Sequence, residues 1–223
     1  MHFVSETGLS LAANTGEHVA PPVILVGLPG SGKSTIGKML ARRWACPFID
    51  SDATIEARLG CSIRQYFEME GEDRFRDFEQ SVLAALVDEC RGKSAPATSA
   101  ATAPSAVIST GGGIVLRPAN RQLLAQQACV IYLRASAEEL YRRLKHDKTR
   151  PLLQVSDPLK KLLELYAQRE PLYRECSRFV IETGRPTVHA LVNMICTQVE
   201  LSGVLSPHAT PDDPEVPGQS LYT

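Results

Sequence analysis

The chain has 223 residues, 43% hydrophobic and 22% charged, a balance that suits a globular protein and excludes a largely disordered one. Its formal net charge is −1, so there is no bulk attraction to nucleic acid or to an anionic membrane, and neither is expected as a partner. Six cysteines, none in a C-x-x-C pair, are expected to be reduced thiols of a cytoplasmic protein.

Residues 1–20 are polar and aperiodic, without a basic n-region or a long apolar run, so a disordered tail is expected and not a signal peptide. The first predicted element is a buried strand, "VILVG" at 23–27. It runs straight into "GLPGSGKST" at 27–35, which fits G-x-x-x-x-G-K-[ST] with Gly27, Gly32, Lys33 and Ser34 in the fixed places. A bland surface turn needs one glycine. Here Gly30 and Gly32 let the backbone curl so that successive N–H groups point at an anion. A helix predicted over 33–45 adds its positive end. Gly30, Ser31, Gly32, Lys33, Ser34 and Thr35 are therefore expected to cradle the phosphates of a nucleoside triphosphate. Lys33 reaches the outer phosphates and the Ser34 hydroxyl a Mg²⁺ ion.

The second strand, 47–50, ends in Asp50-Ser51-Asp52 ahead of a helix over 52–59. One aspartate suffices as a helix cap. Two beside a phosphate loop point to Mg²⁺ at Asp50 and to a substrate hydroxyl at Asp52. Helices are predicted over 62–69 and 72–90, the latter with Phe75, Phe78, Val82, Leu83, Leu86 and Val87 at helical spacing. Arg74 and Arg76 in it read as a solvated face unless Arg76 turns toward the same crevice. Residues 91–105 are low-complexity Ala, Ser, Thr and Pro, a flexible loop by composition.

The third strand, 106–109, leads into Gly111, Gly112 and Gly113. Three glycines in a row cost backbone entropy, and their benefit is close approach of a ligand to bare main chain. A helix over 117–127, a strand over 129–133 and a helix over 136–146 follow. "HDKTRPLL" at 146–153 reads as a polar loop or, in a nucleotide-dependent transferase, as a mobile lid over 146–158 that carries Arg150 to the phosphates. A helical stretch over 157–175, interrupted at Pro171, holds Arg169 and Arg174, either of which suits pairing with an acid. A strand over 178–182, a helix over 187–201 and a proline-rich tail over 204–223 complete the chain. Strands separated by helices make right-handed βαβ units and a parallel sheet, one α/β domain over 21–203. Ligands then bind beyond the carboxyl ends of the strands.

The ordered set of P-loop, D-x-D at 50–52, "FR" at 75–76, G-G-G at 111–113, "RPLL" at 150–153 and "REPLY" at 169–173 resembles shikimate kinase, from about Val23 to Ser202. The resemblance implies a three-layer P-loop fold, a central five-stranded parallel sheet flanked by helices, with a mobile lid. It implies transfer of the ATP γ-phosphoryl group, with Mg²⁺, to the 3-hydroxyl of shikimate, by a cytoplasmic protein expected to be a monomer. Asp52 matches the aspartate on the ring hydroxyls. Arg76 and Arg169 match the arginines on the carboxylate, and Gly112, between Gly111 and Gly113, a backbone contact to substrate. Arg150 matches an arginine on the phosphates. Arg143 matches a position flanking the adenine, Arg185 lies near another, and Ser34 and Asp50 match the Mg²⁺ site. Two rivals are another small-molecule P-loop kinase, such as a gluconate kinase, and a non-catalytic shikimate kinase-like ligand-sensing module of transcription regulators. The paired arginines with Asp52 argue against the first. Intact Asp52 and Arg150 argue against the second, as does an expectation that the 20 or so residues before the loop are too few for a helix-turn-helix.

Overall fold

Strand residues alternate across a sheet, and in the first strand both faces are apolar: Ile24 and Val26 on one side, Val23 and Leu25 on the other, all fully buried. Such a strand requires cover on both faces, the condition of a parallel sheet. A computed structural model of the chain meets it. The structure describes residues 20–91, 103–145, 157–184 and 186–205. Strands β1 (Val23–Val26), β2 (Phe48–Asp50), β3 (Val107–Ser109), β4 (Cys129–Arg134) and β5 (Phe179–Glu182) form one sheet in the order β2-β3-β1-β4-β5. Every neighbouring pair is parallel.

One face is covered by α1 (Lys33–Arg43) and α7 (Val188–Leu201), through Ile36, Leu40, Leu191, Ile195 and Val199. The other carries α2 (Ser51–Leu59), α3 (Ile63–Arg91), α4 (Pro118–Gln127), α5 (Ala137–Leu144) and α6 (Pro158–Cys176). The result is the expected three-layer α/β arrangement with a five-stranded parallel sheet. All six cysteines are free. Among the described residues no helix is long and apolar enough to cross a membrane.

Three details depart from the expectations. α6 continues through Pro171 without a break. The proline removes one i→i−4 bond, but buried Leu165 and Tyr173 on either side hold the helix to the sheet. Val204 and Leu205 do not begin a loose tail. Leu205 is buried and packs with the α1–α7 cluster. Likewise Ala103 and Pro104 pack down at the end of the low-complexity stretch, whose residues 92–102 lie outside the described residues, as do 1–19 and 206–223.

The two helices expected over 62–69 and 72–90 meet at Gly71, where the backbone takes φ 82, ψ 175 within α3. That kink sets the angle at which Phe75, Arg76 and Glu79 approach the strand ends. The conformation belongs almost solely to glycine, and an added methyl meets nothing within 4 Å. Gly71→Ala therefore costs backbone strain alone, about 1–3 kcal/mol. Urea unfolding should show that loss with an unchanged m-value.

Candidate active site

Beyond Val26 the chain turns through Gly30 (φ 83) and Gly32 (φ 96) into α1. Gly32 is the N-cap, no side chain caps the helix, and its first turn holds no acid. The unsatisfied N–H groups of such an end suit an anion. They open on a cleft of about 360 Å³ that Gly30, Lys33, Ser34 and Thr35 help to line. Lys33 arches back over the loop, its Nζ donating to Gly27 O at 2.8 Å and to Leu28 O at 3.1 Å. Ser31 is buried within the loop.

The β2–β3 register sets Asp50 beside Ser109. Ser34 Oγ donates to Asp50 Oδ2 at 3.0 Å and lies 3.2 Å from Ser109 Oγ. Asp50 Oδ1 meanwhile caps α2, accepting from the N–H groups of Asp52 and Ala53. One carboxylate thus serves both readings, cap on one oxygen and site on the other. Among the described residues no three His, Cys, Asp or Glu side chains gather as a metal cage. A few converging oxygens beside a phosphate cradle fit Mg²⁺, which takes the rest of its shell from phosphates and water. Arg143 on α5 also lines this cleft and donates to Gly30 O at 3.4 Å and to the Thr183 carbonyl and hydroxyl. Arg150 and Arg185 lie outside the described residues, with segment 146–156.

A second cavity, about 480 Å³, adjoins the first and shares Pro29, Asp52 and Gly112 with it. Arg76 lines it and is only 11% exposed. Its Nη1 donates to Glu79 at 2.7 Å and its Nη2 to Glu72 at 3.1 Å, with the rings of Phe67 and Phe75 within 6 Å. Arg169, on α6, lines the same cavity and donates from Nη1 to Gly112 O at 3.0 Å. Its buried Nε has no acceptor among the described residues, so this guanidinium still has a donor for an anion. The neighbouring arginines sort the other way. Arg74 is exposed beside Glu70, and Arg174 pairs with Glu170. The glycines are glycines for want of room. A Cβ on Gly111 would sit 2.6 Å from Asp52 Oδ1, one on Gly112 2.9 Å from Pro29 Cδ, and one on Gly113 2.2 Å from Arg76 Nη1.

Asp52 stands in the wall between the two cavities. Burial holds its carboxyl above the ordinary range and Asp50 adds to this, against weaker pulls from Lys33 and Arg76. Burial raises Glu79 as well, against the pull of Arg76. Glu79, Ser109, Thr110 and Phe67 are site residues that sequence reasoning missed. The one signal for Glu79 was its i,i+3 spacing from Arg76, which looks the same in a solvated charged face.

The family model described as shikimate kinase matches residues 29–200. The chain belongs to the shikimate kinase family. The shikimate kinase of Paracidovorax citrulli is 50% identical over 184 residues, 82% of this chain and 94% of that one. That of Burkholderia thailandensis is 49% identical over 82% of this chain and 92% of its own. A solved shikimate kinase from Acinetobacter baumannii, in complex with shikimate, is 38% identical, with a TM-score of 0.70 over 83% of this chain and 96% of that one. Family membership sets aside the gluconate kinase rival, and identity of 49–50% over more than nine-tenths of proteins named shikimate kinase weighs against the sensor module.

The raised carboxyl of Asp52 has a cost in stability. Folding favours its protonated form. That advantage is complete below the unfolded value, near 3.8, and is lost as pH rises through the folded one. Asp52→Asn removes the cost of a buried charge. Its melting temperature should exceed that of the parent at pH 8, and the difference should shrink as pH falls toward 4. Thermal melts at the two pH values check this.

Proposed function

We propose that ATP occupies the P-loop cleft and shikimate the adjoining cavity, and that the protein transfers the γ-phosphoryl group to the shikimate 3-hydroxyl across Asp52. The product is shikimate 3-phosphate, on the route to chorismate and the aromatic amino acids. The observation that carries this reading is the convergence of two guanidinium groups, Arg76 and Arg169, on a cavity joined to a phosphate cradle at Asp52. Shikimate has one carboxylate and three hydroxyls, and this is the charge pattern the cavity complements.

Phosphoryl transfer through a loose transition state needs positioning and charge neutralisation more than covalent help. Lys33 exchanges the loop carbonyls of Gly27 and Leu28 for phosphate oxygens. The loop from Gly30 through Thr35, Ser31 and Gly32 included, supplies backbone N–H groups to the phosphates. Ser34 and Asp50 would hold Mg²⁺, which would supply charge neutralisation at the phosphates. Arg76 and Arg169 clamp the carboxylate, and the bare main chain at Gly111, Gly112 and Gly113 borders the ring. Asp52 orients the 3-hydroxyl and accepts its proton, a task its raised carboxyl suits better than an ordinary aspartate does. Arg143 borders the adenine. Arg150, on the phosphates, and Arg185, near the adenine, keep these roles on the resemblance alone. Near-neutral charge supports the absence of nucleic-acid and membrane partners, and six free thiols support a cytoplasmic protein. A monomer is the expectation, which light scattering at working concentration checks.

ADP release should depend on shikimate in preference to quinate or gluconate, and should vanish in Lys33→Ala. Activity on gluconate with none on shikimate would overturn the reading. Removing one partner of a desolvated charge pair costs roughly 2–5 kcal/mol, about thirty-fold to several thousand-fold in affinity. Arg76→Ala and Arg169→Ala should lose shikimate affinity on that scale and keep ATP affinity. Calorimetric titration separates the two, and equal losses for both ligands would mean misfolding.

A further inference from the structure

Gly112 sits where the two cavities meet, and its carbonyl oxygen accepts two hydrogen bonds. One comes from Arg169 Nη1 at 3.0 Å. The other comes from the hydroxyl of Tyr173 at 2.6 Å, the shorter of the pair. Arg169 and Tyr173 are four residues apart on α6, so they share a face one turn apart. We propose that Tyr173 is the positioning residue for the substrate cavity: through the Gly112 carbonyl it sets both the Gly112–Gly113 peptide and the Arg169 guanidinium. The proposal rests on the shikimate reading above and deepens it.

Four observations carry it. Tyr173 is fully buried, and its ring stacks on Tyr132 of β4 with centroids 4.9 Å apart, so its hydroxyl is held by the sheet and not by a loop. Burial pushes the phenol well above its ordinary value, so at neutral pH it is a donor. Its acceptor lies in a triple glycine, the backbone least able to hold its own conformation. Pro29 of the P-loop presses on Gly112 from another side, leaving no room for a Cβ. The peptide between Gly112 and Gly113 is planar, so fixing its C=O fixes the opposed N–H of Gly113. With Nη1 tied to the same oxygen, the rest of the Arg169 fork keeps one orientation, with Nε still to be satisfied. Tyr173 itself lines neither cavity. It acts through groups that do.

The test is Tyr173→Phe, which keeps the ring and its stacking on Tyr132 and removes the hydroxyl. Loss of one intramolecular hydrogen bond corresponds to about a 2- to 10-fold effect. KM for shikimate should rise by about that factor while KM for MgATP and kcat hold, since carboxylate binding is the same in ground and transition states. The preference for shikimate over its carboxamide should fall by a similar factor. In an Arg169→Ala background the same substitution should do markedly less, because the two act through one oxygen. Hydrogen exchange at the amides of residues 111–113, measured on the folded variant, should quicken, and this readout holds even if stability drops. A lower melting temperature with unchanged exchange there and an unchanged KM ratio would show that Tyr173 only holds α6 to the sheet, and the proposal falls. Equal rises in both KM values overturn it too. A parent protein active on gluconate and not on shikimate instead sinks the functional reading, and this proposal with it.

Discussion

The constraint on which the site depends is the register of three parallel strands. Leu25, Ser109 and Asp50 lie side by side on β1, β3 and β2. Because all three strands run the same way, the loops that leave them emerge on one edge of the sheet. The phosphate loop, the Asp50–Asp52 pair and the triple glycine thereby meet without any of them being near another in sequence. A slip of one residue in β2 would turn Asp50 to the opposite face, away from Ser34.

On that edge the chain concentrates charge at a cost. Asp52 and Glu79 are carboxyls in a desolvated wall, and two arginines stand with them. Each guanidinium is already held: Arg76 by Glu79 and Glu72, Arg169 by the Gly112 carbonyl. Holding them before the ligand arrives removes side-chain entropy from the binding step. The partners are also what keep two like charges stable beside one cavity. Glu79 is 2% exposed, so it cannot trade Arg76 for water and stays paired with that guanidinium behind the site.

The triple glycine is the seam of the structure. On one side it is pressed by Pro29 and Arg76, on another it is tied to α6 through Arg169 and Tyr173. α6 itself is anchored by the stacking of Tyr173 on Tyr132. A short run of chain with no side chains is thus held from several sides, and Gly112 within it is shared by the phosphate cleft and the neighbouring cavity.

Much of this was legible in the sequence. Apolar strands separated by helical segments pointed to the parallel sheet, since such a chain folds as βαβ units. G-x-x-x-x-G-K-S carries its own backbone chemistry, and the break at Gly71 was visible as a gap between two helical periods. What local pattern could not decide was which side of a helix faces the crevice. Arg74 and Arg76 are two residues apart in one charged run, and only the packing of α3 buries the second. Arg169 and Arg174 were equally open to pairing, and only the orientation of α6 turns the first toward Gly112. Glu79 read as one more surface charge, because burial is a property of the neighbours and not of the residue. The sequence by itself determined the kind of ligand and the succession of strands and helices along the chain, as those follow from local backbone chemistry and periodicity. The tertiary structure alone decided which charges converge, because distances between residues far apart in the chain are set by sheet register and helix packing.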